Sequence, residues 1–126
     1  MPVWIALTNI YRQIHNWIGR REEPEKYHLF HFNMNWSMRA IEKHMHFSGY
    51  FYNDLSTSMI GQVGTWRRLI GLDHQIHIRL YKSGLVTGHF ELATHHGTDH
   101  LMGVDYRPLT KEEIAELKIE FSGLIE

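Results

Sequence analysis

The turn Lys82-Ser83-Gly84 constrains this chain more than any other stretch, because the runs on either side alternate strictly between apolar and polar residues. A three-residue hairpin loop places glycine third, in the left-handed conformation, and pairs Tyr81 with Leu85. That register puts Ile76, Ile78 and Leu80 beside Val86, Gly88 and Phe90. The opposite face then holds Gln75, His77, Arg79, Thr87, His89 and Glu91. A two-residue loop would set Ile78 against His89 and Ile76 against Glu91, mixing core and solvent faces. The three-residue loop is therefore expected.

A third strand follows from His100 to Arg107, where Met102, Val104 and Tyr106 alternate with polar or small residues. Keeping those three on the core face requires an odd loop: residues 95–99 set His89 beside Asp105, and residues 97–99 set it beside Arg107. Under either register the polar face gathers His77, His89, Glu91, Asp105, Arg79 and Arg107. Adjacent strands bring paired Cβ atoms to about 5 Å, so an imidazole held by a carboxylate could act there as a general base or a ligand. His77, His89, Glu91 and Asp105 are the catalytic candidates. Alternation of this kind also describes a sheet with one face in water, and a solvated face is the expectation.

The rest of the chain supplies covering elements. Leu7, Ile10, Tyr11, Ile14, Trp17 and Ile18 recur at helical spacing over Val3 to Ile18. Tyr27 to Trp36 alternates as a strand, and Lys43 to Asn53 continues as a second, although Ser37 to His46 also fits a short helix. Met59, Val63, Trp66 and Ile70 predict a helix over Asp54 to Gly71, against which Gly61 and Gly64 count by about 1 kcal/mol each. Thr110 to Glu113 matches a capping box, and Ile114, Leu117, Phe121 and Leu124 give that last helix an apolar stripe. The expectation is a single α+β domain over residues 1–126: a mainly antiparallel sheet of about five strands covered by helices, in the order α-β-β-α-β-β-β-α. In that order of elements alone, the chain is similar to roadblock-type and profilin-like domains and to small secretion chaperones.

Composition narrows the function. A formal net charge of -1 and the lack of a basic stripe argue against a nucleic-acid partner. With no cysteine there is no disulfide or thiol nucleophile, which suits a cytoplasmic setting. No apolar run reaches the roughly 20 residues a membrane span requires. Eleven histidines and an aromatic fraction of 13% stand out and direct attention to ligand or metal sites. His95, His96, Asp99 and His100 form a weak metal-ligand candidate; the run is similar to the signature of metallo-β-lactamase-type hydrolases, but Gly97 stands where the second histidine belongs. Trp36, Tyr50, Tyr52, Arg79 and Arg107 are the candidate ligand-binding residues. The sequence thus predicts a non-catalytic binding or interaction domain, a homodimer, for a small molecule or protein partner. It needs no cofactor, with a divalent metal as the one option. The alternative is a His/carboxylate enzyme, such as a metal-dependent hydrolase, on the polar face of residues 75–107.

Overall fold

Strand β5 (Leu85–His96) forms the spine of the structure, a computed structural model that describes residues 23–52, 60–96 and 100–126, with 94–96 and 100–104 described by their backbone. One edge of β5 pairs antiparallel with β4 (His74–Tyr81). Its other edge is shared end to end by β1 (His28–His31) and β6 (His100–Pro108). Beyond β4 lie β3 (Gln62–Ile70) and the two-residue β2 (Phe51–Tyr52). Helices α1 (Met38–Phe47) and α2 (Lys111–Glu120) complete a mixed α+β fold around a mainly antiparallel, six-stranded sheet. The described order is therefore β-α-β-β-β-β-β-α, which removes the basis for the similarity in element order. Among the described residues no helix is long and apolar enough to cross a membrane. The helix expected over residues 3–18 lies outside the described residues.

The β4–β5 hairpin has the expected register: Leu80 faces Val86, His77 faces His89 and Gln75 faces Glu91. Gly84 has φ 95, the left-handed value its place in the loop requires. At the far end His96 pairs with His100, which matches the shorter of the two odd loops. The register then shifts between Phe90 and Leu92, and Asp105 adopts φ 55. One extra residue on a strand reverses its alternation. Tyr106 therefore does not join the core as expected; its ring lies 4.4 Å from that of His89. Arg107 crosses to the opposite face, with its guanidinium 4.2 Å from the Phe90 ring centre.

Two stretches correct the sequence expectations. Of the strand expected from Lys43, only Phe51–Tyr52 is one among the described residues, as β2; the alternative helix forms before it, as α1. Ser37 caps it by accepting from the Ala40 amide at 3.1 Å. At its end Gly49 (φ 87) allows the paired bonds Tyr50 N–H to Met45 O and Gly49 N–H to His46 O, a Schellman stop. Ile41 and Met45 are buried while Phe47 is 79% exposed, so Phe47 is not the core residue that a strand would make it. The expected helix over Asp54 to Gly71 is also absent from its described part, where residues 62–70 are β3. Gly64 shows why: a Cβ there would come within 2.2 Å of the Trp66 ring. The indole folds back over its own strand, two residues along on the same face.

The apolar face of the sheet supports Trp66, Ile78, Leu80 and Val86 against Ile41 and Met45 of α1 and Leu117 of α2. Phe121, just past α2, touches the rings of Phe30, Phe32 and Tyr50 at 6.2, 5.7 and 5.6 Å. The chain end then returns along β1, where Phe32 bridges Ile125 and the Glu126 amide bonds His31 O at 3.0 Å. The expected capping box is present, with Thr110 Oγ1 accepting from the Glu113 amide at 3.2 Å and Glu113 Oε1 from the Thr110 amide at 2.9 Å.

Candidate functional site

Side chains on alternate residues of three neighbouring strands share one face, and β3, β4 and β5 assemble a polar patch by this rule. Its rows are Thr65, Arg79 and Thr87, then Arg67, His77 and His89, then Leu69, Gln75 and Glu91. This face was expected in water, and it is buried instead: His77 is 1% exposed and Glu91 0%, with Thr65, Arg67, Gln75, Thr87 and His89 also buried. Buried polar groups must satisfy one another, and here they converge on Glu91. Its Oε1 accepts from Arg67 Nε at 3.0 Å and Gln75 Nε2 at 2.8 Å, and its Oε2 lies 2.9 Å from His89 Nε2. His77 Nδ1 stands 3.8 Å from Glu91 Oε1, and its Nε2 is 2.7 Å from Thr65 Oγ1.

The charges of the patch follow from this geometry. Burial alone pushes the Glu91 carboxyl up, but the hydrogen bonds and charges of His89 and Arg67 outweigh it and hold Glu91 below its ordinary value. Glu91 is thus a carboxylate. Burial drives His77 well below its ordinary value, and Arg67, Arg79 and His89 push it the same way. His77 is a neutral imidazole. Three buried atoms of the patch lack hydrogen-bond partners, Arg67 Nη1, Gln75 Oε1 and Arg79 Nε.

A second site lies where α1 meets the β2–β3 edge. Glu42, His46, Tyr50, Phe51, Tyr52 and Trp66 line an open cleft of about 380 Å³. Glu42 and His46 are four residues apart on α1 and so share one side of the helix. Tyr50 is buried, Tyr52 is 54% exposed, and the Tyr52 and Trp66 rings meet edge to face at 6.2 Å. The Tyr50 hydroxyl is buried without a hydrogen-bond partner, and burial raises its pKa against the opposing pull of Arg68. A larger cavity of about 440 Å³ involves Glu23, His28, Ile60, Tyr81, Lys82 and Leu85, and so has one aromatic residue in its wall.

The candidates from the sequence separate accordingly. His77, His89 and Glu91 come together, and Asp105 does not join them: it occupies the bulge and is exposed. Arg79 stays on the polar face, where its Nη1 donates to Glu23. Arg107 leaves it and grips Glu113 with two nitrogens at 2.8 and 3.2 Å. Tyr50 and Tyr52 line the cleft, while Trp36 is exposed in the turn before α1 and is not among the cleft's residues. The backbone pairs His96 with His100 and His95 with Leu101; Asp99 and the side chains of these histidines lie outside the described residues. Thr65 and Arg67 were missed because their segment reads as helical, although Thr65, Arg67 and Leu69 alternate as a strand face would. Glu42 and His46 were missed as a pair because the strand reading hid their helical spacing. No family model matches the chain, and neither a curated protein nor a solved structure matches it.

Proposed function

We propose that this protein is a non-catalytic binding domain that holds a small molecule in the cleft between α1 and the β2–β3 edge. The observation that carries this reading is the lining of that cleft, where the exposed Tyr52 ring meets the edge of the buried Trp66 ring beside Tyr50 and a single acid, Glu42. Aromatic faces and a carboxylate suit a flat aromatic body with a protonated amine, which gains stacking and cation–π attraction. The unpartnered Tyr50 hydroxyl supports the same reading, because an unsatisfied buried hydroxyl costs about 1–3 kcal/mol, part of which a ligand ammonium donating to its oxygen would recover. Calorimetric titration with tryptamine tests it against the neutral and carboxylate analogues of the same ring. The amine should bind best, and Tyr52→Ala, at an exposed position, should weaken it about tenfold without lowering the unfolding temperature. Equal binding of all three analogues, or an unaltered Tyr52→Ala, would contradict the reading.

The protein partner in this proposal is a second copy of the chain. Among the described residues, the outer edge of β3 pairs only at Arg67 and Trp66, and Leu69, Ile70 and the 94% exposed Leu72 stand beside it. Light scattering that finds a monomer at every concentration would rule out the dimer and leave the cleft untouched. A chain free of cysteine also suits the cytoplasmic setting that belongs to this reading. A His/carboxylate enzyme at His77, His89 and Glu91 is less well supported, since neither cavity is lined by those residues.

A further inference from the structure

We propose that His77, His89 and Glu91 bind a divalent transition-metal ion of the zinc class at a structural site enclosed on the polar face of the sheet. The three residues are buried, and their donor atoms all lie within 4.8 Å of one another. Glu91 Oε1 is 3.8 Å from His77 Nδ1 and Glu91 Oε2 is 2.9 Å from His89 Nε2. Metal–ligand bonds of about 2.1 Å in a tetrahedron place ligand atoms about 3.4 Å apart. The two separations run to different oxygens of Glu91, and all three donors lie within 4.8 Å, so side-chain rotations on the order of an ångström bring one oxygen and both imidazoles to that spacing. Two imidazoles and one carboxylate select zinc-like ions over magnesium or calcium, which take oxygen ligands.

The surrounding groups orient these donors. Thr65 Oγ1 engages His77 Nε2 and leaves Nδ1 toward the triad, and a hydrogen bond on the far nitrogen is what fixes a ligating imidazole. The rings of His77 and His89 are nearly perpendicular, at 85° with centres 5.1 Å apart. Arg67 and Gln75 both occupy Glu91 Oε1, which leaves Oε2 as the carboxylate donor. The orphaned Gln75 oxygen is an independent pointer: it sits on the amide whose nitrogen holds Glu91, is fully buried, and accepts from nothing. An oxygen of this kind lacks a hydrogen-bond donor or a cation, and it belongs to a side chain that already touches Glu91. The guanidinium of Arg67 opposes a dication by like charge, so the affinity should be lower than that of a site without a neighbouring cation.

The site lies on the face opposite Trp66, so its test is separate from that of the aromatic cleft. The full chain is stripped with a chelator, dialysed, and titrated with cobalt and then zinc, following the visible cobalt spectrum and the unfolding temperature. One equivalent of cobalt should give the strong absorption of a low-coordinate nitrogen and oxygen site, zinc should displace it, and either ion should raise the unfolding temperature. Glu91→Gln, isosteric and still able to accept from Arg67, should weaken binding about 100-fold or more. Should that variant fail to fold, His89→Gln keeps the Arg67–Glu91 pair and carries the same expectation. The double variant His95→Ala/His96→Ala should bind as the parent does. Flat spectra and unchanged unfolding in the parent, full binding by a folded Glu91→Gln or His89→Gln, or loss of binding in the double variant would each overturn the proposal.

Discussion

His77 occupies the middle of a patch in which every neighbour but Leu69 is polar, and its ring has been taken out of water almost completely. Burial and the charges of Arg67, Arg79 and His89 all disfavour its protonated form. The sign of the pH effect follows directly. Above the ordinary value of 6.5 neither the folded nor the unfolded chain protonates this ring, so its contribution to stability is fully present. Below that value the unfolded chain takes up a proton that the folded chain refuses, and stability falls by about 1.4 kcal/mol per pH unit for one such proton. Urea unfolding between pH 7 and 5 should show this slope, and His77→Gln should lose that part of it. A variant with the parental slope would place the acid sensitivity at another group. At this scale the sequence was informative where register decides: one three-residue turn puts His77, His89 and Glu91 on one face. It was silent on Arg67, because nothing in the stretch 54–71 marks the guanidinium as a partner for a glutamate two strands away.

Elements went wrong in the sequence reading where an apolar spacing fits two periods. Val63, Trp66 and Ile70 fall at helical intervals, yet Trp66 turns to the core while Val63 and Ile70 stay partly exposed at the sheet's edge. Gly64 was the discriminating signal, since a glycine inside a strand marks a close approach, here by the Trp66 ring. Gly64→Ala should cost about 1–3 kcal/mol, the usual penalty for overpacking a filled core. Chemical denaturation measures it; an alanine variant as stable as the parent would mean that the indole does not lie over Gly64. Residues 37–47 failed in the opposite direction. Met45 and Phe47 alternate as a strand would, while Ser37, Ile41, Met45 and Gly49 mark a cap, a buried face and a stop. The capping box at Thr110 was legible because its chemistry is local and needs no tertiary partner.

For the whole molecule, composition and alternation gave the α+β class and its antiparallel sheet, but not the burial of the sheet's polar side. Alternation reports two faces and cannot say whether the polar one meets water or protein. That difference sets the account of function. A wet histidine patch would have been the natural place for a substrate, whereas the buried one suits a held ion, and open aromatic surface lies on the other side at Tyr52, against the buried Trp66. The most direct measurement is a nitrogen–proton correlation spectrum of the full chain titrated with tryptamine. The account predicts saturable shifts concentrated at Glu42, His46, Phe51, Tyr52 and the neighbouring β3 amides around Trp66. Shifts centred on Glu23, His28 and Tyr81 to Leu85, around the larger cavity, or no saturable shifts at all, would contradict it.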